Sequence, residues 1–301
     1  MAVLSIQSHV VYGYAGNTAA VFPLQRLGRE VWAVNTVEFS NHTGYGSFRG
    51  KVLGAELASE LVSGLEERGV LNLCEAVLSG YLGDADVGRA IIDAVKKVQK
   101  ENPKALYCCD PVMGDTGRGF YVKQGIPEMF RNELITLADI VCPNQFELEF
   151  LTGVAVKNIL DCLKAIDILH EMGPSVVLTT SFREKAGELS MIASRRASKR
   201  AEFQSSCAVN SEIYKTTTPE LPLEDGAAGT GDMTAAVFLS RYLETGDLEK
   251  ALSLCTASVF GVLEASYKMS LSEKNPLELK IVNAQEEFVS PSHSFKAVKI
   301  E

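Results

Sequence analysis

Short apolar runs alternate with longer stretches of helical periodicity along most of this chain, and few folds accommodate that order. Val3-Leu4-Ser5-Ile6 reads as a strand that runs into the polar turn Gln7-Ser8-His9. Residues 17–27 then place Ala20, Leu24 and Leu27 at helical spacing, and Gly28 stops the helix. Pro23 is expected to kink it or to sit near its first turn. Further strands fall at 31–34, 76–78, 105–109, 140–142 and 176–179, with helices at 56–68, 86–100, 123–137, 145–151 and 160–172. Segments 189–193 and 202–209 read as a peripheral hairpin around the basic run Arg195, Arg196, Lys199 and Arg200, a solvated loop. The last third reads as helix from 232 to 267 and again near 276–284. Repeated βαβ order predicts an α/β fold with a mostly parallel central sheet and helices on both faces. No repeat, low-complexity tract or linker interrupts it, so residues 1–301 read as a single domain.

Composition excludes several functions. The 301 residues are 46% hydrophobic, enough for a core that needs no staples. A net charge of −9 argues against nucleic acid or an anionic membrane as partner. It also requires that any bound nucleotide be held by local dipoles and metal ions, not by a general basic field. Seven cysteines without CxxC or Cys/His ligand spacing fit a reduced compartment. Without a long apolar run or a charged leader, the expected setting is cytoplasmic, with no membrane contact. The four histidines form no metal motif, and no P-loop, nucleophile elbow or GxGxxG occurs.

In a parallel sheet, ligands gather outside the carboxyl ends of the strands. Ser8, Thr43, Tyr81, Asp110, Asn144, Thr179 and Asp232 all fall near such ends. Gly229-Thr230-Gly231-Asp232 opens a helix, whose free N–H groups and positive dipole end suit a phosphate. A carboxylate there competes with the anion unless it takes a proton from an attacking hydroxyl. The same four residues can also be an ordinary helix entry capped by Thr230 or Asp232, the commoner use of such a turn. The loop 39–46 (Phe-Ser-Asn-His-Thr-Gly-Tyr-Gly) is either a pocket for a small heteroaromatic ring or an ordinary turn. Asp110 and Asp115 after a buried strand suit Mg²⁺, or else form an Asx-type turn. Gly114 to Gly119, closed by Phe120-Tyr121, reads as a mobile flap. Asn144 and Glu147, three apart, either hold metal-bound water and phosphate or make a capping box.

Taken together, Ser5-Ile6-Gln7-Ser8-His9-Val10, Phe39 to Tyr45, Asp110-Pro111-Val112, Pro143 to Glu147 and Gly229 to Asp232 resemble the pyridoxal kinases of the ribokinase-like superfamily in order and spacing. The resemblance covers nearly the whole chain except about 181–222. It implies ATP-dependent phosphorylation of the 5′-hydroxymethyl group of pyridoxal, pyridoxine or pyridoxamine in vitamin B6 salvage, with Mg²⁺ or another divalent ion and with K⁺ or Na⁺. It implies that Ser8 meets the ring nitrogen, Thr43 the ring hydroxyl, and that Tyr81 walls the ring. Asp232 would deprotonate the alcohol, while the amides of Gly229, Thr230 and Gly231 form the anion hole. Asp115, Asn144 and Glu147 belong to the phosphate and Mg²⁺ neighbourhood, Thr179 and Thr180 to the triphosphate, and Leu223 to the adenine. Asp110 and Thr179 match positions that hold a monovalent cation, and a homodimer is implied. Cys142 stands where the family usually has Thr, and a thiol is a poorer alkali-metal ligand than a hydroxyl. Ala228 before Gly229 should matter only for packing, and Tyr12 stands where animal enzymes tend to carry a basic residue. A hydroxymethylpyrimidine kinase would share the anion hole and differ at the ring; a catalytically silent vitamer-binding protein would not need Asp232.

Overall fold

Side chains that alternate across the inner strands let one sheet bury both of its faces. The computed structural model describes residues 1–197, 211–223, 227–272 and 278–300. The chain begins β1 (Ala2–Val10), α1 (Asn17–Arg26), β2 (Glu30–Phe39), β3 (Gly50–Val52), α2 (Gly54–Glu67), β4 (Cys74–Ser79) and α3 (Ala85–Glu101). After β5 (Leu106–Cys109), a small hairpin of β6 (Gly114–Asp115) and β7 (Gly119–Phe120) precedes α4 (Ile126–Met129) and α5 (Ile135–Leu137). Then come β8 (Ile140–Val141), α6 (Gln145–Thr152), α7 (Ile159–Met172) and β9 (Val176–Phe182). The remaining elements are β10 (Glu188–Arg195), β11 (Glu212–Pro219), α8 (Thr230–Thr245), α9 (Leu248–Ser270), α10 (Glu286–Val289) and β12 (Val298–Lys299).

The main sheet has the order β12-β11-β10-β9-β8-β5-β4-β1-β2-β3. From β9 to β2 every neighbouring pair is parallel, as the βαβ order requires, and antiparallel strands extend both edges. Leu4, Ile6, Val77, Tyr107, Val141 and Val177 face a core shared with α2, α3, α6 and α7. Their neighbours Val3, Ala76, Leu78, Leu106, Ile140 and Val176 face the opposite core, built with α1, α8 and α9. Within α3, Val87, Ile91, Ala94, Val95 and Val98 form the buried stripe, and each large apolar side chain contributes about 1.5–3 kcal/mol. The Asp84 carboxylate caps this helix by accepting from the Asp86 N–H.

Several local expectations change. Pro23 lies inside α1, which nonetheless continues to Arg26 before Gly28 turns the chain at φ 81°. The expected helix at 123–137 is interrupted: Gly125 adopts a left-handed conformation, and Phe130–Leu134 form a π-helical stretch between α4 and α5. The hairpin exists, but β10 pairs with β11; the expected arm 202–209 lies outside the described residues. Arg195 and Arg196 are not a free basic patch, since they pair with Glu212 and Asp167, while Lys199 and Arg200 lie outside the described residues. Near the C-terminus, 278–285 is irregular and turn-like, because Leu279, Ile281 and Ala284 reach the second core without a helix. The helix there is α10, and 276–277 lie outside the described residues.

Candidate active site

The parallel strands β1, β4, β5, β8 and β9 deliver their carboxyl ends to one side, where the following loops enclose a cleft of about 980 Å³. Its walls include Ser8, Thr43, Tyr81, Asp110, Asp115, Asn144, Glu147, Thr180, Leu223 and Gly229 to Asp232. Of the residues given a role at the site from the sequence, Thr179 alone is not in that wall. It is fully buried in β9, and its Oγ1 has no hydrogen-bond partner among the described residues.

One end of the cleft is ring-sized and largely apolar. Val10, Ala15, Val37 and Phe39 form a small buried cluster against which Tyr81 packs. Ser8 is buried here, and a polar chain runs beside it through an otherwise apolar strand. Gln7 Nε2 donates to Ser5 Oγ (2.9 Å), and Ser5 Oγ donates to Asn17 Oδ1 (2.8 Å), so the start of α1 is pinned to β1. Thr43 lies on an exposed 3₁₀ turn, Thr43–Tyr45, that follows β2. Burial, and then the Arg118 charge, lowers the pKa of His42 beside it.

The middle of the cleft concentrates carboxyl groups. Asn144 and Glu147 do make a capping box at the start of α6. Glu147 Oε2 accepts from the Asn144 N–H (2.9 Å) and Oε1 from the Met113 N–H (3.0 Å). The Asn144 amide donates to Gly114 O (2.8 Å) and Asp115 Oδ1 (3.2 Å), so the cap also fixes the β6–β7 hairpin. Phe120 anchors that hairpin edge-on against Phe146 and Phe150 of α6, at 5.1 and 5.0 Å. The tip between β6 and β7 borders the cleft. Burial raises Glu147 to about 8, against the pull of its backbone donors. Burial also raises Asp110 well above the carboxylate range, and Glu147 and Asp232 push it further. Asp110 Oδ2 has no hydrogen-bond partner among the described residues.

Opposite this cluster, Gly229 adopts φ 81° and begins α8. A Cβ there would collide with the Tyr14 carbonyl oxygen, so only glycine lets the two loops meet. The N-cap Gly229 brings no side chain to α8, and Thr230 Oγ1 turns back to Ala227 O (2.8 Å). Thr230 therefore does not cap the helix, and the helix dipole opens into the cleft. Burial raises the Asp232 pKa, partly offset by the N–H groups of Gly16 and of Asp232 itself, and Oδ1 remains unpartnered among the described residues. A carboxylate held this way is poised to accept a proton.

Three features of the cleft were not anticipated. Arg118 at the hairpin tip and Arg183 after β9 line it; burial raises the pKa of Asp115, and both charges oppose that rise. Local guanidinium groups thus join the dipoles expected of an acidic chain. Ser181 takes a left-handed φ of 55° at the cleft wall, a strained choice for a residue with a Cβ. The far end is apolar, with Val259, Phe260 and Leu263 of α9 facing Leu223.

A parallel sheet with this switch of loops, an uncapped helix start bearing a buried aspartate, and facing carboxyl groups define a small-molecule kinase of ribokinase-like fold. A family model described as phosphomethylpyrimidine kinase matches residues 72–278. The chain is 48% identical over 298 residues to the pyridoxal kinase PdxY of Rubrobacter xylanophilus, covering 99% of this chain and 97% of the relative. It is 45% identical over 304 residues to the pyridoxal kinase PdxY of Granulibacter bethesdensis, covering 99% of both. The Leishmania donovani pyridoxal kinase in complex with ADP and pyridoxamine superposes with a TM-score of 0.89 at 31% identity, covering 99% of both chains. The chain belongs to the family that the matching model describes and, within it, to the pyridoxal kinases.

Proposed function

We propose that this kinase transfers the γ-phosphoryl group of ATP to the 5′-hydroxymethyl group of pyridoxal and its sister vitamers. The observation that carries the reading is the placement of Asp232 within the uncapped start of α8, in one cleft with Ser8, Thr43 and Tyr81. Ser8 and Thr43 would address the ring nitrogen and hydroxyl, and Tyr81 its face. Asp232 would take the proton of the attacking alcohol, while the N–H groups of Gly229, Thr230 and Gly231 stabilise charge on the transferred group. Thr180 and Asn144 would border the triphosphate, and Leu223 with Phe260 and Leu263 the adenine.

Asp110, Asp115 and Glu147 supply hard oxygen donors of the kind Mg²⁺ takes. The described residues contain no ready-made group of three or more metal ligands, so a divalent ion would draw most of its ligands from nucleotide oxygens and water. When bound, Mg²⁺ would neutralise phosphate charge. A monovalent cation near Asp110 and Thr179 fits their two unpartnered buried oxygens, Asp110 Oδ2 and Thr179 Oγ1. With Cys142 in place of a hydroxyl residue, its backbone carbonyl is the better ligand. The described cysteines are free and buried, and no described helix is long and apolar enough to cross a membrane, consistent with a cytoplasmic setting. Residues from β1 through α8 build one cleft, which supports a single kinase domain; a homodimer follows the family resemblance.

ADP release is to be measured with pyridoxal, pyridoxine, pyridoxamine and hydroxymethylpyrimidine, at varied Mg²⁺ and with K⁺ exchanged for Na⁺. Vitamer-dependent ADP is expected. The pyrimidine arm matters because the family match over 72–278 leaves out Ser8 and Thr43, the two groups that would read the ring. Turnover of the pyrimidine alone overturns the assignment.

A further inference from the structure

Among the described residues, one long-range side-chain hydrogen bond ties the turn that carries Thr43 to the protein body. Thr43, Gly44 and Gly46 are exposed, and most hydrogen bonds around the turn are local: Gly44 N–H to His42 Nδ1 (3.2 Å), Tyr45 N–H to His42 O (3.2 Å), Asn41 Nδ2 to Ser47 O (2.8 Å). Tyr45 is different. Its hydroxyl donates to Glu278 Oε1 at 2.5 Å, across a sequence separation of 233 residues. Burial, followed by that bond, holds the Tyr45 phenol well above its ordinary range, so it remains a donor.

Glu278 is only 7% exposed, and it touches the second loop of the ring pocket as well. Gly13, in the loop that leaves β1 just beyond Ser8, has φ 85°; a Cβ there would stand 2.6 Å from each Glu278 carboxylate oxygen. One carboxylate from the far end of the chain is thus wedged between the loop after Ser8 and the turn of Thr43.

We propose that Glu278 is a positioning residue for the acceptor substrate: by latching Tyr45 and packing on Gly13, it fixes the Thr43 turn over the ring pocket. The proposal rests on the vitamer reading of that pocket. With the latch broken, the turn samples positions away from the ring, and binding must select the closed one, which weakens apparent affinity. The nucleotide end of the cleft, built from α6, α8, α9 and the β6–β7 hairpin, does not use this contact.

The test compares Tyr45→Phe, Glu278→Ala, Glu278→Gln and the Tyr45→Phe/Glu278→Ala double variant by steady-state kinetics. A hydrogen bond to a charged acceptor corresponds to roughly a ten- to hundredfold change in an equilibrium. Tyr45→Phe and Glu278→Ala should raise KM for pyridoxal on that scale, leave KM for ATP within about twofold, and combine without adding in the double variant. Glu278→Gln, whose amide oxygen still accepts, should recover most of the loss. Equal rises in both KM values, or a Gln variant as impaired as the Ala variant, overturn the latch. Should Glu278→Ala fail to fold, Tyr45→Phe removes only a hydroxyl and decides alone. Amide exchange across 43–47 in the ligand-free protein gives an independent readout: it should quicken in Tyr45→Phe, and unchanged exchange overturns the latch. A wild-type protein that turns over no vitamer overturns the activity reading only.

Discussion

Gly16 stands so close behind Ser8 that a Cβ on it would overlap both the serine Oγ and the serine carbonyl oxygen. Its backbone, at φ 57° and ψ −128°, is one that L side chains rarely adopt, and it also precedes the first turn of α1. The residue expected to meet the ring nitrogen is therefore set by the absence of a side chain in the loop that follows its own strand.

Gly16→Ala should strain the backbone by about 1–3 kcal/mol and displace Ser8. Urea unfolding should show a lower midpoint with an unchanged slope. KM for pyridoxal should rise more than KM for ATP; an equal effect on both would detach Gly16 from the ring pocket.

Asp232→Asn should lower kcat by about 10²–10⁴, as for a lost general base, with a much smaller change in either KM. Because burial raises the Asp232 pKa, the acidic limb of the wild-type kcat profile should fall above the ordinary aspartate range. The variant's residual activity should lack that limb. Near-normal turnover would remove Asp232 from the role of base.

Cys142→Thr restores a hydroxyl near Asp110, whose Oδ2 has no hydrogen-bond partner among the described residues. If an alkali cation binds there, the K⁺ concentration for half-activation should fall several-fold in the variant. Superimposable K⁺ titrations would place the cation elsewhere.

His170, buried on α7, places Nδ1 against Pro174 O (2.8 Å) and Nε2 against Ser194 Oγ (2.8 Å). Burial lowers its pKa below the usual 6.5, although the Pro174 carbonyl opposes this. The folded state therefore binds fewer protons than the unfolded one, and stability falls as pH drops below about 6.5. Glu147 acts in the other sense: raised from 4.5 to about 8, it favours the folded state at low pH, and that advantage is lost as pH rises through about 8. The difference in urea midpoint between wild type and His170→Gln should isolate the histidine, narrowing from pH 7.5 to pH 5.5 if the assignment holds.

The inner strands were legible because each is a short apolar run with a polar residue just past its end, as in Leu106–Cys109 followed by Asp110. The same rule located most of the cleft. It failed for β11, whose Lys215 and Thr216 to Thr218 look like a loop; its partners are β10 and β12, and no local pattern reveals them. Phe130–Leu134 keep helical spacing in the sequence, so the π-helical stretch has no signature there. Arg118 and Arg183 are single basic residues in unrelated loops, and only the fold brings both to Asp115. The adjacent basic run drew notice instead and proved to be spent, in its described part, on Glu212 and Asp167. Asn144 and Glu147 carried two readings; the capping box is present, and it is also what steadies Asp115 through the Asn144 amide.

Strand β1, formed by the first residues of the chain, lies between β2 and β4 in the interior of the sheet. Chain ends usually tolerate trimming because little depends on them. Here, deleting residues 2–10 would split the sheet along its middle and leave two strands with open hydrogen-bonding edges, an invitation to self-association.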